Sequence, residues 1–310
     1  MGLFDIFKKP SPEAQAAQQE SLHRQADILM SLRAGRIPTG ALARLQGAAA
    51  GTIPWMATLT PAELMIARSH GLKPIAAVSA TCWLHYGWSW TEGHGQGWDM
   101  ALQRLAQEAK ACGANAVLDV KMRTIPVQVE ESMDFSLIGT AVRVEGLPPS
   151  NDPIIATVPA LEFVKLLEAD VVPTGIAIGA HYEWLTDWRG TADQPWMGNI
   201  ESWQLSNLWE TVRQRAHAQL RQSAGKHGNG VLAHVNFSQM FDRERDVNEQ
   251  KVKEYLARHI VIATTVDARR GTPLPHEFKM VVDMHAGKTP LARTSSHHQS
   301  YATNEQDGAI

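Results

Sequence analysis

The stretch AKACGANAV, residues 109–117, decides the fold because a helix ends and a strand begins within it. Apolar side chains at helical spacing run from about Trp98 to Ala111, and Gly113 is the residue type that closes a helix in the left-handed conformation. From residue 116 to 123 the side chains alternate, which predicts a strand with Ala116, Leu118, Val120 and Met122 on one face. Two further strands, residues 75–80 before the helix and 135–144 at the end, complete a predicted β-α-β-β unit.

The same order of elements returns in the second half of the chain. Residues 175–180 (GIAIGA) match the first strand, a helical pattern follows through Leu220, and GNGVL at 228–232 echoes ANAVL at 114–118. The last strand contains IATTV at 262–266, which resembles IGTAV at 138–142. A short predicted helix precedes each copy, at 61–70 and at 160–167. Several echoes in the same order favour a duplication over two unrelated α+β domains.

The sequence therefore predicts an α+β protein of two tandem β-α-β-β units, each a small antiparallel sheet with one helix on one face. A helical segment at 1–50 precedes the first unit at 51–148, and the second unit spans 155–272. Residues 273–310 are expected to add an edge strand and then a disordered tail, because their composition turns to Ser, Thr, His, Gln and Asn. Since one helix leaves the other face of a sheet open, we expect the units to pack against each other and against further chains.

Composition argues against several functional classes. The chain has 310 residues, of which 44% are apolar and 20% charged, and a net charge of −3, unlike a protein that coats nucleic acid. No apolar run reaches the roughly 20 residues that span a bilayer, and no secretory signal follows the start. The two cysteines, Cys82 and Cys112, cannot form a disulfide framework, so we expect a cytoplasmic protein.

Two motifs of the first unit resemble the YbjQ-like family, which carries the label of a heavy-metal-binding domain. The block Ala109–Val117 matches the family's Gly-Ala-(Asp/Asn)-Ala-Val turn, and Ser136–Val144 matches its Ser-x-x-Gly-Thr-Ala-Val strand. The second copy departs from the motif, with Gly228 and Gly230 in place of alanines and Ala263-Thr264-Thr265 in place of Gly-Thr-Ala. The resemblance implies a dodecin-subunit-like fold and a closed oligomeric ring, which is a pentamer in single-repeat relatives.

The family label directs attention to metal ligands. The best set is Cys82, His85 and His94 on the predicted loop that follows the first strand, since Cys82-x-x-His85 can place two ligands on one ion. The second copy holds only His181 in the matching loop, so the sequence encodes no repeated site. In the alternative interpretation Cys82 ends a buried strand, both histidines are hydrogen-bonding residues, and no metal or other cofactor binds.

Tryptophan is unusually frequent, with ten residues against seven Phe and four Tyr. Eight of them fall in or beside the two matching loops: Trp83, Trp88, Trp90, Trp98, Trp184, Trp188, Trp196 and Trp203. Large amphipathic rings in loops are typical of surfaces that a partner covers, so these eight are candidates for an oligomer interface. A local minicore of folded-back loops is the alternative, and base stacking is disfavoured because the loops hold almost no Lys or Arg.

The N-terminal segment MGLFDIFKK places Leu3, Phe4, Ile6 and Phe7 beside two lysines. Such a segment can contact an anionic membrane surface weakly, and a ring would multiply that contact. Docking of the segment on its own protein is the alternative interpretation.

The sequence contains no nucleophile elbow and no phosphate-binding loop. We therefore predict a non-enzymatic, cytoplasmic assembly or scaffold protein whose partner is itself, in a closed homo-oligomeric ring, with no nucleic-acid partner. Three alternatives stay open: a metal- or small-ligand-binding module that uses the first aromatic loop, an enzyme formed at subunit junctions, and a peripheral membrane scaffold.

Overall fold

The computed structural model describes residues 11–85, 89–127, 132–188, 190, 192, 202–228, 230–247 and 250–268. Its helices are α1 (Pro12–Arg33), α2 (Thr39–Ala50), α3 (Pro61–Ser69), α4 (Trp90–Ala111), α5 (Ala160–Glu168) and α6 (Trp203–Ala224). Its strands are β1 (Leu72–His85), β2 (Ala116–Val127), β3 (Ser132–Val144), β4 (Ile154–Ile155), β5 (Val171–Asp187), β6 (Gly230–Val247) and β7 (Gln250–Ala268). The predicted edge strand and tail at 273–310 lie outside the described residues.

The two halves of the chain have the same topology. The first sheet has the order β1-β3-β2-β4, and the second has the order β5-β7-β6. In both sheets the last long strand lies in the middle and is antiparallel to its two long neighbours. Helix α4 connects β1 to β2, and α6 connects β5 to β6. The predicted α+β fold, two tandem β-α-β-β units behind a helical N-terminal segment, is confirmed; we call residues 57–144 the first unit and 156–268 the second unit.

A nine-residue helix leads into each sheet. Helix α3 begins at a capping box, in which the Glu63 N–H donates to Thr60 Oγ1 at 3.4 Å and the Thr60 N–H donates to Glu63 Oε2 at 2.7 Å. After each short helix one residue takes the left-handed conformation, Gly71 at φ 71° and Asp170 at φ 56°. Strands β1 and β5 then both break register at a proline, Pro74 and Pro173. Gly71 and Pro74 in the first unit are separated by the same number of residues as Asp170 and Pro173 in the second. We therefore align the start of the two units by placing Gly71 with Asp170 and Pro74 with Pro173.

The long helix of each unit holds the outer edge of the strand that precedes it. The Ser79 N–H of β1 donates to Glu108 Oε2 of α4 at 3.0 Å, and the Ala180 N–H of β5 donates to Gln219 Oε1 of α6 at 2.9 Å. In the first unit Arg44 of α2 also reaches this edge and donates to the Ala77 carbonyl at 3.1 Å. An edge whose amides are occupied in this way cannot pair with another strand at that point.

The predicted alternation along β2 is wrong at one point. Between Leu118 and Lys121 the register with β3 shifts, and Asp119 takes a positive φ of 53°. The bulge places Val117 and Val120 on the face toward α4, whereas Leu118 packs on the opposite face. A bulge reverses the inside and outside positions on its two sides, so a simple period of two could not assign both halves of this strand.

The elements stack in four layers: first sheet, α4, second sheet and α6. One hydrophobic cluster contains Leu105 and Trp98 of α4 and Leu137 of the first sheet, together with Ile260 and Ile262 of the second sheet. On the other face of the second sheet, a separate set of residues packs against α6: Ala177, Val261 and Ala263 against Leu220 and Ala224. Helix α4 is therefore covered on both sides, by its own sheet and by the sheet of the second unit.

Helices α3 and α5 cover part of the first sheet on the face away from α4. Their residues Ala67 and Phe163 share a cluster with Leu118 and Val142 of that sheet. The second unit thus contributes its short helix to the core of the first unit.

Candidate functional site

Four aromatic rings form the junction between the two units. The His94 ring of α4 lies 5.3 Å from the Phe135 ring of β3 and 5.6 Å from the Tyr182 ring of β5. The Trp98 ring lies edge-on to Phe135 at 5.1 Å, and Trp98 is only 1% exposed. These distances are typical of favourable aromatic pairs, so the cluster fixes how the second sheet sits on α4.

His94 at the centre of this cluster is fully buried. The indole N–H of Trp98 donates to His94 Nε2 at 3.2 Å, which leaves the proton of the neutral ring on Nδ1. Burial, with a smaller contribution from the positive charge of Arg258, lowers the pKa of His94 to about 3. The side chain is therefore an uncharged packing residue at neutral pH, and its Nδ1 has no hydrogen-bond partner among the described residues.

Arg258 is a second buried polar residue at the junction. It donates through one Nη to Gln239 Oε1 and through the other to Met133 Sδ, 4.0 Å away in the first sheet. Its guanidinium also lies 5.4 Å from the centre of the Phe241 ring. No carboxylate within the described part of the chain forms an ion pair with Arg258, so the contact with Met133 ties the two sheets together without charge neutralisation.

Each unit holds its leading segment by the same pair of threonines. In the first unit the Thr58 N–H donates to Thr140 Oγ1 at 2.7 Å, and the two hydroxyl oxygens are 2.9 Å apart. In the second unit the Thr157 N–H donates to Thr264 Oγ1 at 3.0 Å, with the hydroxyls 2.8 Å apart. Because Thr140 and Thr264 are fully buried, these bonds place residues 57–58 and 156–157 at equivalent positions against their own sheets.

The segment that leads into the second unit also extends the first sheet. Strand β4 runs parallel to β2, with Ile154 beside Ala116 and Ile155 beside Val117. The Ala156 N–H donates to the Val117 carbonyl at 2.9 Å, and the Val120 N–H donates back to the Ala156 carbonyl at 3.1 Å. The edge of β2 is thereby closed by the segment that leads into the second unit.

Positions that are buried at this junction have exposed equivalents elsewhere in the chain. Ile262 in the second sheet is fully buried, whereas Ile138, at the same place in the echoing motif, is 43% exposed. Tyr182 is 8% exposed and Trp83 is 59% exposed. On the short helices, Val164 is 2% exposed and Met65 is 76% exposed. We call four exposed residues, Met56 just before the first unit and Met65, Trp83 and Ile138 within it, the head surface.

The structure describes the side chains of two of the three predicted metal ligands, Cys82 and His94. Cys82 is buried, its thiol donates to Met100 Sδ at 3.9 Å, and burial raises the pKa of that thiol, which disfavours the thiolate that metals bind. His94 belongs to the aromatic cluster on α4, and the side chain of His85 lies outside the described residues. Within the described part of the chain, no three His, Cys, Asp or Glu side chains are placed to hold a metal ion. The described donor set therefore does not fit a heavy metal, and we derive no chemistry through one.

The tryptophans do not act as one group. Trp98 was predicted at the oligomer interface, and this is wrong, because the helix turns its ring into the core between Phe135 and His94. Trp83, Trp184, Trp188 and Trp203 are exposed, and the Trp184 ring stacks under the Arg243 guanidinium at 4.2 Å. Trp88, Trp196 and the side chain of Trp90 lie outside the described residues.

The candidate membrane-contact residues Leu3, Phe4, Ile6 and Phe7 also lie outside the described residues. Among the helices that the structure describes, none combines the length and the apolar character that crossing a membrane requires.

The junction residues Tyr182 and Arg258 and the paired threonines are not predicted from the sequence. One signal was available: Ala57-Thr58 and Ala156-Thr157 repeat just before the two short helices, as do the threonines of IGTAV and IATTV. Nothing in the local pattern, however, indicates that a strand of one unit packs on a helix of the other.

The comparison with protein families places one part of the chain. Residues 89–145, from α4 through β3, match the model of the YbjQ-like family, which is described as "Putative heavy-metal-binding". No curated protein and no solved structure matches the chain. The YbjQ-like resemblance of the first unit is thus supported over the helix, the turn and the two strands that carry its motifs.

Proposed function

We propose that the chain is a non-enzymatic assembly protein that joins head to tail into a closed homo-oligomer. The observation that carries this proposal is the difference between Ile262, fully buried under α4, and its equivalent Ile138, which is 43% exposed on the first sheet. Inside the chain, the open face of the second sheet is covered by the long helix of the preceding unit. The first sheet has the same face, and no long helix among the described residues covers Ile138 there.

A second copy of the chain can cover the head surface of the first unit and the outer face of α6. Helix α6 is the equivalent of α4, and its exposed residues Trp203 and Arg213 lie away from its own sheet core. The α6 helix of one copy can cover the head surface of the next copy, as α4 covers the second sheet. A contact that repeats head to tail is heterologous, and it closes into a ring when its rotation divides a full turn. Because each chain contributes two units, such a ring holds an even number of them.

The contact between chains is more polar than the junction within the chain. On the first sheet Ser79 and Ser136 occupy the places of Ile178 and Ile260 of the second sheet. Fewer buried apolar groups give a weaker association, so we expect the oligomer to dissociate on dilution while the two units of one chain stay together. The cytoplasmic location, the absence of a nucleic-acid partner and weak membrane contact remain predictions beside this proposal.

Native mass spectrometry and light scattering of the full chain test the proposal. The native chain is expected above its monomer mass of 34.1 kDa, and Ile138→Arg should return it to a folded monomer, because an arginine there places an unpaired charge in the contact. Trp83→Arg should act in the same direction.

Trp188→Arg is the matched control, since Trp188 is as exposed as Trp83 but follows the end of β5. It should leave the oligomer intact. A native chain that is monomeric at all concentrations would sink the proposal. If Trp188→Arg dissociated the oligomer and Ile138→Arg did not, the contact would lie at the tryptophan loops, and the assignment of the head surface to the interface would be wrong.

A further inference from the structure

We infer that residues 55–58 of one copy add a parallel strand to the edge of β6 in a second copy, at Gly230 and Val231. This inference rests on the proposed head-to-tail assembly and names the backbone contact that fixes its register. It is carried by three observations: a strand addition of the same kind within the chain, an exposed donor segment, and an edge of β6 with which no described strand pairs.

Strand β4 is the pattern for this contact. The chain just before the second unit lies parallel to β2, with Ile154 beside Ala116 and Ile155 beside Val117. Four backbone hydrogen bonds hold it: from Ile154 N–H to the Asn115 carbonyl at 3.0 Å, from Ala156 N–H to Val117 at 2.9 Å, from Asp119 N–H to Val158 at 3.0 Å, and from Val120 N–H to Ala156 at 3.1 Å. The first unit is thus joined to the second by backbone pairing as well as by side chains.

The segment just before the first unit is held against its sheet in the same way as the segment before the second unit. Its backbone, however, does not pair with any strand among the described residues. Thr58 is fixed on Thr140 as Thr157 is fixed on Thr264, so Trp55 and Met56 occupy the places of Ile154 and Ile155. Among the described residues, none forms a backbone hydrogen bond with residues 53–57. Met56 is 61% exposed, and Trp55 is exposed as well. Residues 53–57 therefore lie next to the first unit with no backbone hydrogen bond to any other described residue.

The acceptor lies at the other end of the chain. Strand β6 is an edge strand of the second sheet, and its residues Gly230 and Val231 are the equivalents of Ala116 and Val117. Val117, whose backbone pairs with Ile155 of β4, is fully buried, whereas Val231 is 37% exposed. An apolar strand edge that no described strand covers is a template for pairing with another chain.

The side chains at the two sites also compensate in size. Within the chain, Ile154 lies beside Ala116; between chains, the larger Trp55 would lie beside the smaller Gly230. An aromatic ring over a neighbouring glycine is a recognised way of stabilising a glycine in a sheet. The expected register is Trp55 beside Gly230 and Met56 beside Val231, with the Ala57 N–H donating to the Val231 carbonyl. A second copy of this chain is the occupant that supplies both partners.

Cross-linking of mixed full-length variants tests the register. Met56→Cys chains and Val231→Cys chains are mixed and oxidised, and the two native cysteines stay in place because both are buried. Adjacent strands bring Cα atoms within disulfide range, so the mixture should give a linked product near twice the 34.1 kDa monomer mass. Met30→Cys mixed with Val231→Cys is the negative control, since Met30 is exposed on α1 outside the proposed contact. An Ile155→Cys, Val117→Cys double variant is the positive control, because the same pair is already in register within the chain.

The outcomes separate this inference from the proposed function. If native mass spectrometry shows an oligomer and the positive control links, but Met56→Cys with Val231→Cys does not, strand addition is wrong and assembly stands. If the chain is monomeric throughout, both fall. Linking of Met56→Cys to itself as efficiently as to Val231→Cys would mean a head-to-head contact and would also overturn the inference.

A proline variant provides a second measurement. Ala57→Pro removes the N–H that is expected to pair with Val231, and it should shift the oligomer to monomer with the thermal unfolding of the chain unchanged. Ala156→Pro removes the equivalent N–H inside the chain and should instead lower the unfolding temperature. An intact oligomer with Ala57→Pro would contradict the inference.

Discussion

The two sheets of this chain present the same face to different surroundings. In the second sheet Tyr182, Ile260 and Ile262 lie against α4 of the first unit and are buried. In the first sheet the equivalent positions hold Trp83, Ser136 and Ile138, which are exposed or half-buried. Duplication therefore repeats the topology of a unit, but it repeats the burial of a face only where a neighbouring unit is present.

The same comparison extends to the long helices. Helix α6 approaches its sheet so closely that the Cβ of an alanine at Gly179 would overlap the backbone carbonyl of Ala216. The first unit has an alanine, Ala80, at the equivalent place in β1, and Ala80 is buried in the core beside α4. The helix-to-sheet spacing therefore differs between the units, although the order of elements does not.

The largest expected effect comes from breaking the junction at its centre. Trp98→Ala should destabilise the chain by about 3–5 kcal/mol, because it leaves a cavity beside Phe135 and removes the donor to His94. Trp209→Ala in α6 should cost clearly less, since Trp209 is only half-buried. Urea unfolding followed by far-ultraviolet circular dichroism measures both, and equal losses would show that the two helices are packed alike.

The next largest effect is expected from a substitution that changes the distance between α6 and β5. Gly179→Ala should cost about 1–3 kcal/mol, because α6 must move away from β5 to admit the methyl group. The reverse change in the first unit, Ala80→Gly, should cost only about 0.5–1 kcal/mol through backbone entropy. The same unfolding measurement applies, and a Gly179→Ala variant as stable as the native chain would contradict the close approach.

Acid should weaken the junction through His94. Its pKa in the folded chain is lowered to about 3, against 6.5 when unfolded, so the unfolded chain binds more protons between these values. The contribution of His94 to stability is therefore fully present above about pH 6.5, and it is lost progressively as the pH falls from there toward 3.

The His94→Gln variant keeps an acceptor for Trp98 but removes this titration, so its stability should fall less steeply between pH 6 and pH 4. Part of the slope should remain, because burial lowers the pKa of His259 in the second unit to about 4. Identical slopes in the native chain and the variant would rule out a buried neutral His94.

The smallest effects test the repeated threonine pairs. Thr58→Val and Thr157→Val each remove one hydroxyl hydrogen bond and should each cost about 1 kcal/mol. Similar losses of unfolding free energy are expected, because the geometry is the same in both units. A loss in one unit alone would show that the threonines anchor only that leading segment.

The order of helices and strands could be predicted because each element leaves a local pattern. The helical spacing from Trp98 to Ala111 and the glycine at 113 mark the end of α4, and the echo of IGTAV in IATTV marks β3 and β7. The bulge at Asp119 could not be predicted, since the polar residue there also fits a regular alternation.

The residues of the candidate site could be predicted from the sequence only in part. Tryptophan is a residue type that is frequent at interfaces, yet the position of Trp98 on α4 directs its side chain into the core. Cys82 and His94 are close in sequence, but one lies in a strand and the other on a helix within an aromatic cluster. Whether a side chain is a ligand, a core residue or a surface residue depends on elements that are distant in sequence.

The sequence by itself determined the duplicated β-α-β-β order, because hydrophobic periodicity and turn residues act over short stretches of chain. Only the tertiary structure decided that the second sheet lies on α4, that β4 closes the edge of β2, and that the head surface is left exposed. The physical reason is that these features come from contacts between units, and such contacts depend on which apolar faces remain after each unit has folded.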